Sequence, residues 1–193
     1  MLKNSNTALN LMKAYVGECQ ARTRYTFFAS IAKKEGYNRI SKIFLEIAEQ
    51  EKEHAKLFYK HLKDEYNGED IFIDASYPVA FFQSTKENLQ SAVKGEFNES
   101  TLDYPLFAKT ALKEGFDEIS KLFYAIANIE YTHEKRFNKL YLSLETDSHF
   151  FDHKGGIWRC SNCGFIIEDV TPPDDCPVCL HSKSYFENIA ETY

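Results

Sequence analysis

Long apolar runs are missing from this chain. The stretch MLKNSNTALNLMKAYVGECQ at its start carries Lys3 but no uninterrupted hydrophobic segment, and nothing later approaches the roughly 20 apolar residues of a membrane span. Basic stripes are also missing. The 23 Lys and Arg are interspersed among 29 Asp and Glu, for a net charge of −6, so there is no patch for tracking nucleic-acid phosphates and no polybasic segment for anionic lipid. The expected location is the cytoplasm, with neither nucleic acid nor membrane as partner. Cysteine is scarce, and four of the five lie in CSNCGFIIEDVTPPDDCPVC, Cys160 to Cys179. A reducing cytoplasm disfavours disulfides, so two C-x-x-C pairs there point to metal, leaving Cys19 as an odd thiol expected to be buried. With 44% hydrophobic and 15% aromatic residues in 193, the chain is neither disordered nor fibrous and can bury one core plus a small module.

From about residue 5 to 142 the apolar residues recur at helical steps. Ile40, Ile43, Phe44 and Ile47 lead along one stripe through Glu51 and His54 to Phe58. Ile119, Leu122, Phe123 and Ile126 lead along another through Glu130 and His133 to Phe137 and Leu140. Both stripes turn from apolar to ionisable at the same place, because the region is an internal repeat. Tyr25 to His54 aligns on Tyr104 to His133 without gaps, with 15 identities in 30 positions, KEG among them. Upstream, Gly17-Glu18 matches Gly95-Glu96 only if the offset drops by one. One residue has therefore been inserted between Glu96 and Tyr104, which a helix commonly absorbs as a π-bulge. Each half reads as a helical hairpin turning at Gly36 or Gly115. The stretch Asp64 to Phe82 between them is long enough for a crossover, and together the hairpins predict a four-helix bundle of the ferritin-like kind. The bundle is expected over 1–145, a linker over 146–156 ending in Gly155-Gly156, and the cysteine module over 157–193.

Residues three apart share a helix face, so each E-x-x-H sends two ligands inward. Glu18 and Glu96 join Glu51 with His54 and Glu130 with His133. One Glu from each of two helices plus one Glu-x-x-His from each of the others is how a bundle holds a di-iron or di-manganese centre. A single E-x-x-H is weak, since Glu-rich surface helices produce one often. Two repeat-related copies on core stripes are strong, because burying that many carboxylates without cations is very costly. Glu99 breaks the symmetry: it lies three after Glu96 beside the insertion, and reads either as a surface glutamate or as a seventh ligand. Four thiolates at this spacing suit iron or zinc alike, with Trp158, Phe165 and Tyr185 available to pack around them.

The motifs GECQARTRY, EKEH, GEFNESTLDYP, IEYTH and WRCSNCG…CPVC, in that order, resemble the rubrerythrin family over essentially the whole chain. The resemblance implies a mainly α fold, a ferritin-like di-iron bundle followed by a small rubredoxin-like β/loop metal domain. It implies two irons per chain on Glu18, Glu51, His54, Glu96, Glu99, Glu130 and His133, one of them exchanging His54 for Glu99 as its oxidation state changes. It places one iron, or zinc, on Cys160, Cys163, Cys176 and Cys179, and puts Tyr25 and Tyr104 near the di-iron centre. The expected activity is reduction of hydrogen peroxide to water in defence against oxidative stress. Glu99, Tyr25 and Tyr104 are the candidate catalytic groups, and electrons are expected from an external reductase through the cysteine iron. A homodimer is implied, arranged head to tail, and the length of the Asp64 to Phe82 crossover also allows domain swapping. Ferroxidase or iron storage, and a zinc-stabilised electron-transfer or scaffold protein, are the alternatives. One departure is local: Leu180 follows Cys179 where such knuckles usually carry glycine, which requires Leu180 to adopt the left-handed region or the turn to change.

Overall fold

A computed structural model describes residues 1–190; the last three residues of the expected cysteine module lie outside it. Two hairpins form the bundle: α1 (Asn6–Lys34) with α2 (Asn38–Tyr66), and the segment α3 (Thr85–Asn98), a π-helical turn (Glu99–Asp103) and α4 (Tyr104–Lys113) with α5 (Asp117–Glu145). The mainly helical, ferritin-like architecture expected from the repeat is the one observed. Among the described residues no helix is long and apolar enough to cross a membrane.

Both hairpins turn alike. After α1, Tyr37 N–H donates to Ala32 O and Gly36 N–H to Lys33 O, and after α4, Phe116 donates to Ala111 O and Gly115 to Leu112 O. This pairing needs a left-handed residue at the glycine, and Gly36 and Gly115 have φ of 85° and 84°. The glutamate before each glycine explains why KEG is duplicated. Glu35 Oε2 accepts from Thr85 N–H at the start of α3, and Glu114 Oε2 accepts from Thr7 N–H at the start of α1. Each hairpin's turn thus caps the first helix of the other, satisfying orphan donors and placing negative charge at a helix N-terminus.

The inserted residue is absorbed as the sequence predicts, in the π-helical turn Glu99–Asp103, with Pro105 following as the second residue of α4, where a missing N–H is tolerated. Two apolar clusters fill the bundle. One gathers Leu11, Phe58, Phe123 and Ile126 with Tyr104; the other gathers Phe28, Ile43, Phe44 and Phe137 with Tyr25. The ionisable stretch of each stripe lies between them. The crossover lies against α1, with Tyr77 O–H donating to Lys13 O and Gln20 Nε2 to Pro78 O.

The C-terminal module is a three-stranded antiparallel sheet in the order β2 (Ile166–Asp169), β1 (Gly156–Cys160), β3 (Phe186–Asn188). It docks on the α1–α2 turn, where Arg39 pairs with Glu187 at 3.4 Å and Asn38 Nδ2 donates to Ser184 Oγ. The Gly-Gly pair is not a free tether. Gly155 takes φ 87°, and Gly156 belongs to β1, where a Cβ would stand 2.9 Å from Trp158 Nε1. Ahead of it, the His149 ring packs edge-on against Tyr37 and Phe150, and Phe150 joins the module's core.

Burial holds His149 at about pH 4, below its ordinary 6.5. The unfolded chain accepts a proton that the folded chain refuses. Stability is therefore full above pH 6.5 and is lost as pH falls toward 4, by about 3 kcal/mol from this residue. Chemical denaturation at pH 4.5 and 7.5 is expected to show a smaller acid loss in His149→Leu than in the parent; equal losses would rule the residue out.

Candidate metal centres

Six of the seven proposed bundle ligands converge. Glu18, Glu51, His54 and Glu130 offer ligand atoms within 4.8 Å of one another, and so do Glu51, Glu96, Glu130 and His133. All six residues are buried. The two groups share Glu51 and Glu130, and the sharing is atom by atom. His54 Nδ1 stands 2.8 Å from Glu51 Oε2 and 2.9 Å from Glu130 Oε1; His133 Nδ1 stands 3.2 Å from Glu51 Oε1 and 2.8 Å from Glu130 Oε2. Each shared carboxylate turns one oxygen to each imidazole. Glu18 and Glu96 approach one imidazole apiece, at 3.9 and 3.7 Å.

A dinuclear centre fits this arrangement. A ring nitrogen can hold one proton and satisfy one oxygen well, yet several oxygens crowd each Nδ1. Glu18 Oε2, Glu51 Oε1, Glu96 Oε2, both oxygens of Glu130 and His133 Nδ1 are buried without a hydrogen bond of good geometry. Orphaned buried acceptors are rare unless an ion is missing from the account. Protons otherwise substitute for the cations. Burial, then repulsion from Glu51, pushes Glu96 up to about 8, and burial lifts Glu18 and Glu99 well above the carboxylate range. Burial opposes charge on His133 too, but Glu130, Glu51 and Glu96 outweigh it and raise the ring to about 12.

Two tyrosines clamp the ends. Tyr25 O–H donates to Glu96 Oε1 and Tyr104 O–H to Glu18 Oε1, each at 2.5 Å. Each tyrosine serves the opposite half of the repeat, and burial keeps both phenols protonated. Glu99 stands outside both ligand groups and is half-buried. It lines a cavity of about 380 Å³ with Tyr104, Tyr77, Arg24 and Asp103. There its Oε1 comes within 3.8 Å of where a Cβ on Gly17 would be, so the absent side chain leaves it room beside α1.

Two further residues differ from or escape the sequence reading. Cys19 is half-exposed, because the neighbour of an inward Glu18 is rotated away from the core; Tyr15, Arg22 and Tyr59 surround it. Gln50 was missed: its Oε1 lies 2.9 Å from His133 Nε2. The repeat alignment held the only signal, since it pairs Gln50 with Ile129.

The cysteine site is equally defined. Cys160 and Cys179 Sγ are 3.7 Å apart, and Cys163 and Cys176 are 3.6 Å apart, with all four thiols free. A tetrahedron with metal–sulfur bonds of about 2.3 Å has edges of about 3.8 Å, so the thiolates already stand at ligand spacing. Trp158, Phe165 and Tyr185 pack around them as expected. Leu180 takes φ 58°, beside Gly164 at 81° in the matching knuckle. The turn is kept, and the backbone N–H of His181, the largest influence on Cys179, pulls that thiol down to about 6. A left-handed L-residue costs roughly 1–2 kcal/mol. Leu180→Gly is therefore expected to stabilise the module by about 1 kcal/mol and to slow metal loss to a chelator; unchanged loss would mean the leucine recovers its strain elsewhere.

Comparison with known proteins agrees. The rubrerythrin family profile matches residues 10–141, and the profile for the rubredoxin-like domain of rubrerythrin matches 158–187. The chain is 52% identical to the rubrerythrin of Clostridium perfringens over 192 residues, covering 100% of this chain and 98% of that one. It is 42% identical to the rubrerythrin of Nitratidesulfovibrio vulgaris, covering 96% and 95%. Among solved structures, nigerythrin in its fully reduced, all-ferrous state superposes with a TM-score of 0.64 at 27% identity, over 96% of this chain and 90% of that one. With a candidate di-iron site in its bundle and a four-cysteine site beyond it, this chain belongs to the rubrerythrin family.

Proposed function

We propose that the protein is a peroxidase that reduces hydrogen peroxide to water, taking up two electrons and two protons per peroxide. Residues 1–145 form the reacting unit, 146–156 the connection, and 157–193 the electron inlet. Glu18, Glu51, His54, Glu96, Glu130 and His133 would hold two irons, with Glu99 as a further ligand in the oxidised state, and the four cysteines would hold a third. Irons held in the bundle in the ferrous state would supply the two electrons and the Lewis acidity that O–O cleavage needs.

The observation that carries this reading is Glu99 at the wall of the cavity. Desolvation, then repulsion from Glu96, raises its carboxyl well above the usual carboxylate range, and it faces space sized for a small substrate, so it is placed to give a proton to a leaving oxygen. Tyr104 lines the same cavity while its O–H fixes Glu18, and Tyr25 fixes Glu96 from the other side. These bonds hold the carboxylates against rotation and keep two further protons beside them. The apolar clusters above and below exclude water from the rest of the centre. An iron-storage protein has no use for the appended cysteine site.

Electrons are supplied by an external reductase and cross between subunits of a head-to-tail homodimer. The module docks at Asn38, and Glu51 lies thirteen residues further along α2, about 20 Å at 1.5 Å per residue. Within one chain the inlet is thus remote from the centre it feeds.

Reduced, iron-loaded protein mixed anaerobically with peroxide is expected to reoxidise stoichiometrically, with the iron–thiolate absorption returning. Glu99→Ala with all irons loaded is expected to slow this by about 10²–10⁴-fold. Parent-like rates in Glu99→Ala would remove its proton role. Protein that ignores peroxide, or shows no iron–thiolate band, would favour storage or a zinc-stabilised scaffold.

A further inference from the structure

The two halves of the centre match closely in their carboxylates, imidazoles and tyrosines, and differ behind the imidazoles. His133 is held from both sides: Nδ1 faces the carboxylates, and Nε2 meets Gln50 Oε1 at 2.9 Å across from α2. A metal on Nδ1 puts the ring proton on Nε2, where an acceptor is required, and Gln50 Oε1 is an acceptor. The repeat-equivalent of Gln50 is Ile129, a partly exposed side chain with no polar atom. Among the described residues His54 Nε2 has no counterpart to Gln50, and its ring is placed by its carboxylate contacts and by stacking on His133.

We propose that Gln50 is a positioning residue that makes the two metal positions unequal. The position of Glu96 and His133 is set in advance and fills first. The position of Glu18 and His54, whose imidazole has no such partner behind it in this chain, fills second. The inference rests on the dinuclear reading and goes beyond it, because the six converging ligands do not by themselves say which position binds more tightly. Partners behind a ligating histidine commonly change metal affinity by about 10–100-fold, and that is the separation expected here.

The test is a Co²⁺ titration of the full chain, metal-free in the bundle, with Zn²⁺ already in the cysteine site. The visible ligand-field bands then report carboxylate and imidazole coordination alone. The parent is expected to show two resolved steps. Gln50→Leu is expected to weaken the tighter step by about 10–100-fold and merge the two, and Gln50→Met, which keeps the length but only a weak thioether acceptor, repeats the measurement in a second background. Gln50→Glu keeps an acceptor oxygen and is expected to restore the two-step curve, which a purely structural role for the side chain would not predict. Two equal steps in the parent, or an unchanged tight step in Gln50→Leu and Gln50→Met, would overturn the inference while leaving the dinuclear centre standing. Failure of the parent to bind two equivalents would overturn the dinuclear reading and this inference together.

Discussion

Glu130→Ala is expected to lose both bundle irons and to slow peroxide-driven reoxidation by about 10³-fold or more, equivalent to about 4 kcal/mol of barrier. The size of the effect follows from atom-by-atom sharing. Glu130 turns Oε1 toward His54 and Oε2 toward His133, so its removal opens both metal positions at once. Glu18 and Glu96 each approach a single imidazole, and their alanine variants are expected to retain one iron. Iron counting paired with single-turnover kinetics separates the cases. If Glu130→Ala kept two irons and reacted within tenfold of the parent, the bridging assignment would be wrong.

The second large effect is on stability. Chelation of the bundle metal leaves four carboxylates and two imidazoles buried together, several of their atoms without good hydrogen bonds. A ligand present at about a thousand times its dissociation constant stabilises the folded state by about 4 kcal/mol. In a chain of this size each kilocalorie moves the melting temperature by about 2–4 °C, so the metal-free protein is expected to melt about 10 °C below the loaded one. The gap should narrow with acid. Glu96 near 8, His54 near 9 and His133 near 12 must all give up protons to the metal. At pH 6 more protons compete than at pH 8. Differential scanning calorimetry of chelated and loaded protein at the two pH values checks both statements. A loaded protein that melts with the chelated one at pH 8 would mean that the buried carboxylates do not hold metal.

Much of this centre was readable from spacing. Ile43, Ile47, Glu51, His54 and Phe58 lie on one helical stripe, and a stripe that turns ionisable at repeat-related points has few other uses. The one-residue change of offset between Glu96 and Tyr104 was enough to place the π-helical turn, because an extra residue in a packed helix has to be absorbed locally. What spacing could not supply was direction off the stripe. That Glu99 faces a cavity and stands clear of the ligand groups depends on the turn it occupies and on the missing side chain at Gly17. Gln50 lay in plain view in the aligned repeats, but the pairing of an amide with Ile129 carries no meaning until the helices are packed and the ring behind the metal position is seen. Cys19 and the Gly155-Gly156 pair were read from composition, as a buried thiol and the end of a linker. Both readings gave way to local geometry: a helix face turned outward in one case, and a strand packed against Trp158 in the other.

The reciprocal bonds between hairpins bear on how such a chain arose. Tyr25 serves Glu96 and Tyr104 serves Glu18, while Glu35 caps α3 and Glu114 caps α1. A lone hairpin would carry a glutamate with no helix to cap and a tyrosine with no carboxylate to hold, so neither half is self-sufficient. Two copies of one hairpin related by a dyad would satisfy every one of these demands. The chain has the form of such a pair joined end to end, with the crossover as the seam, and the π-helical turn and Gln50 as the places where its two halves are not interchangeable.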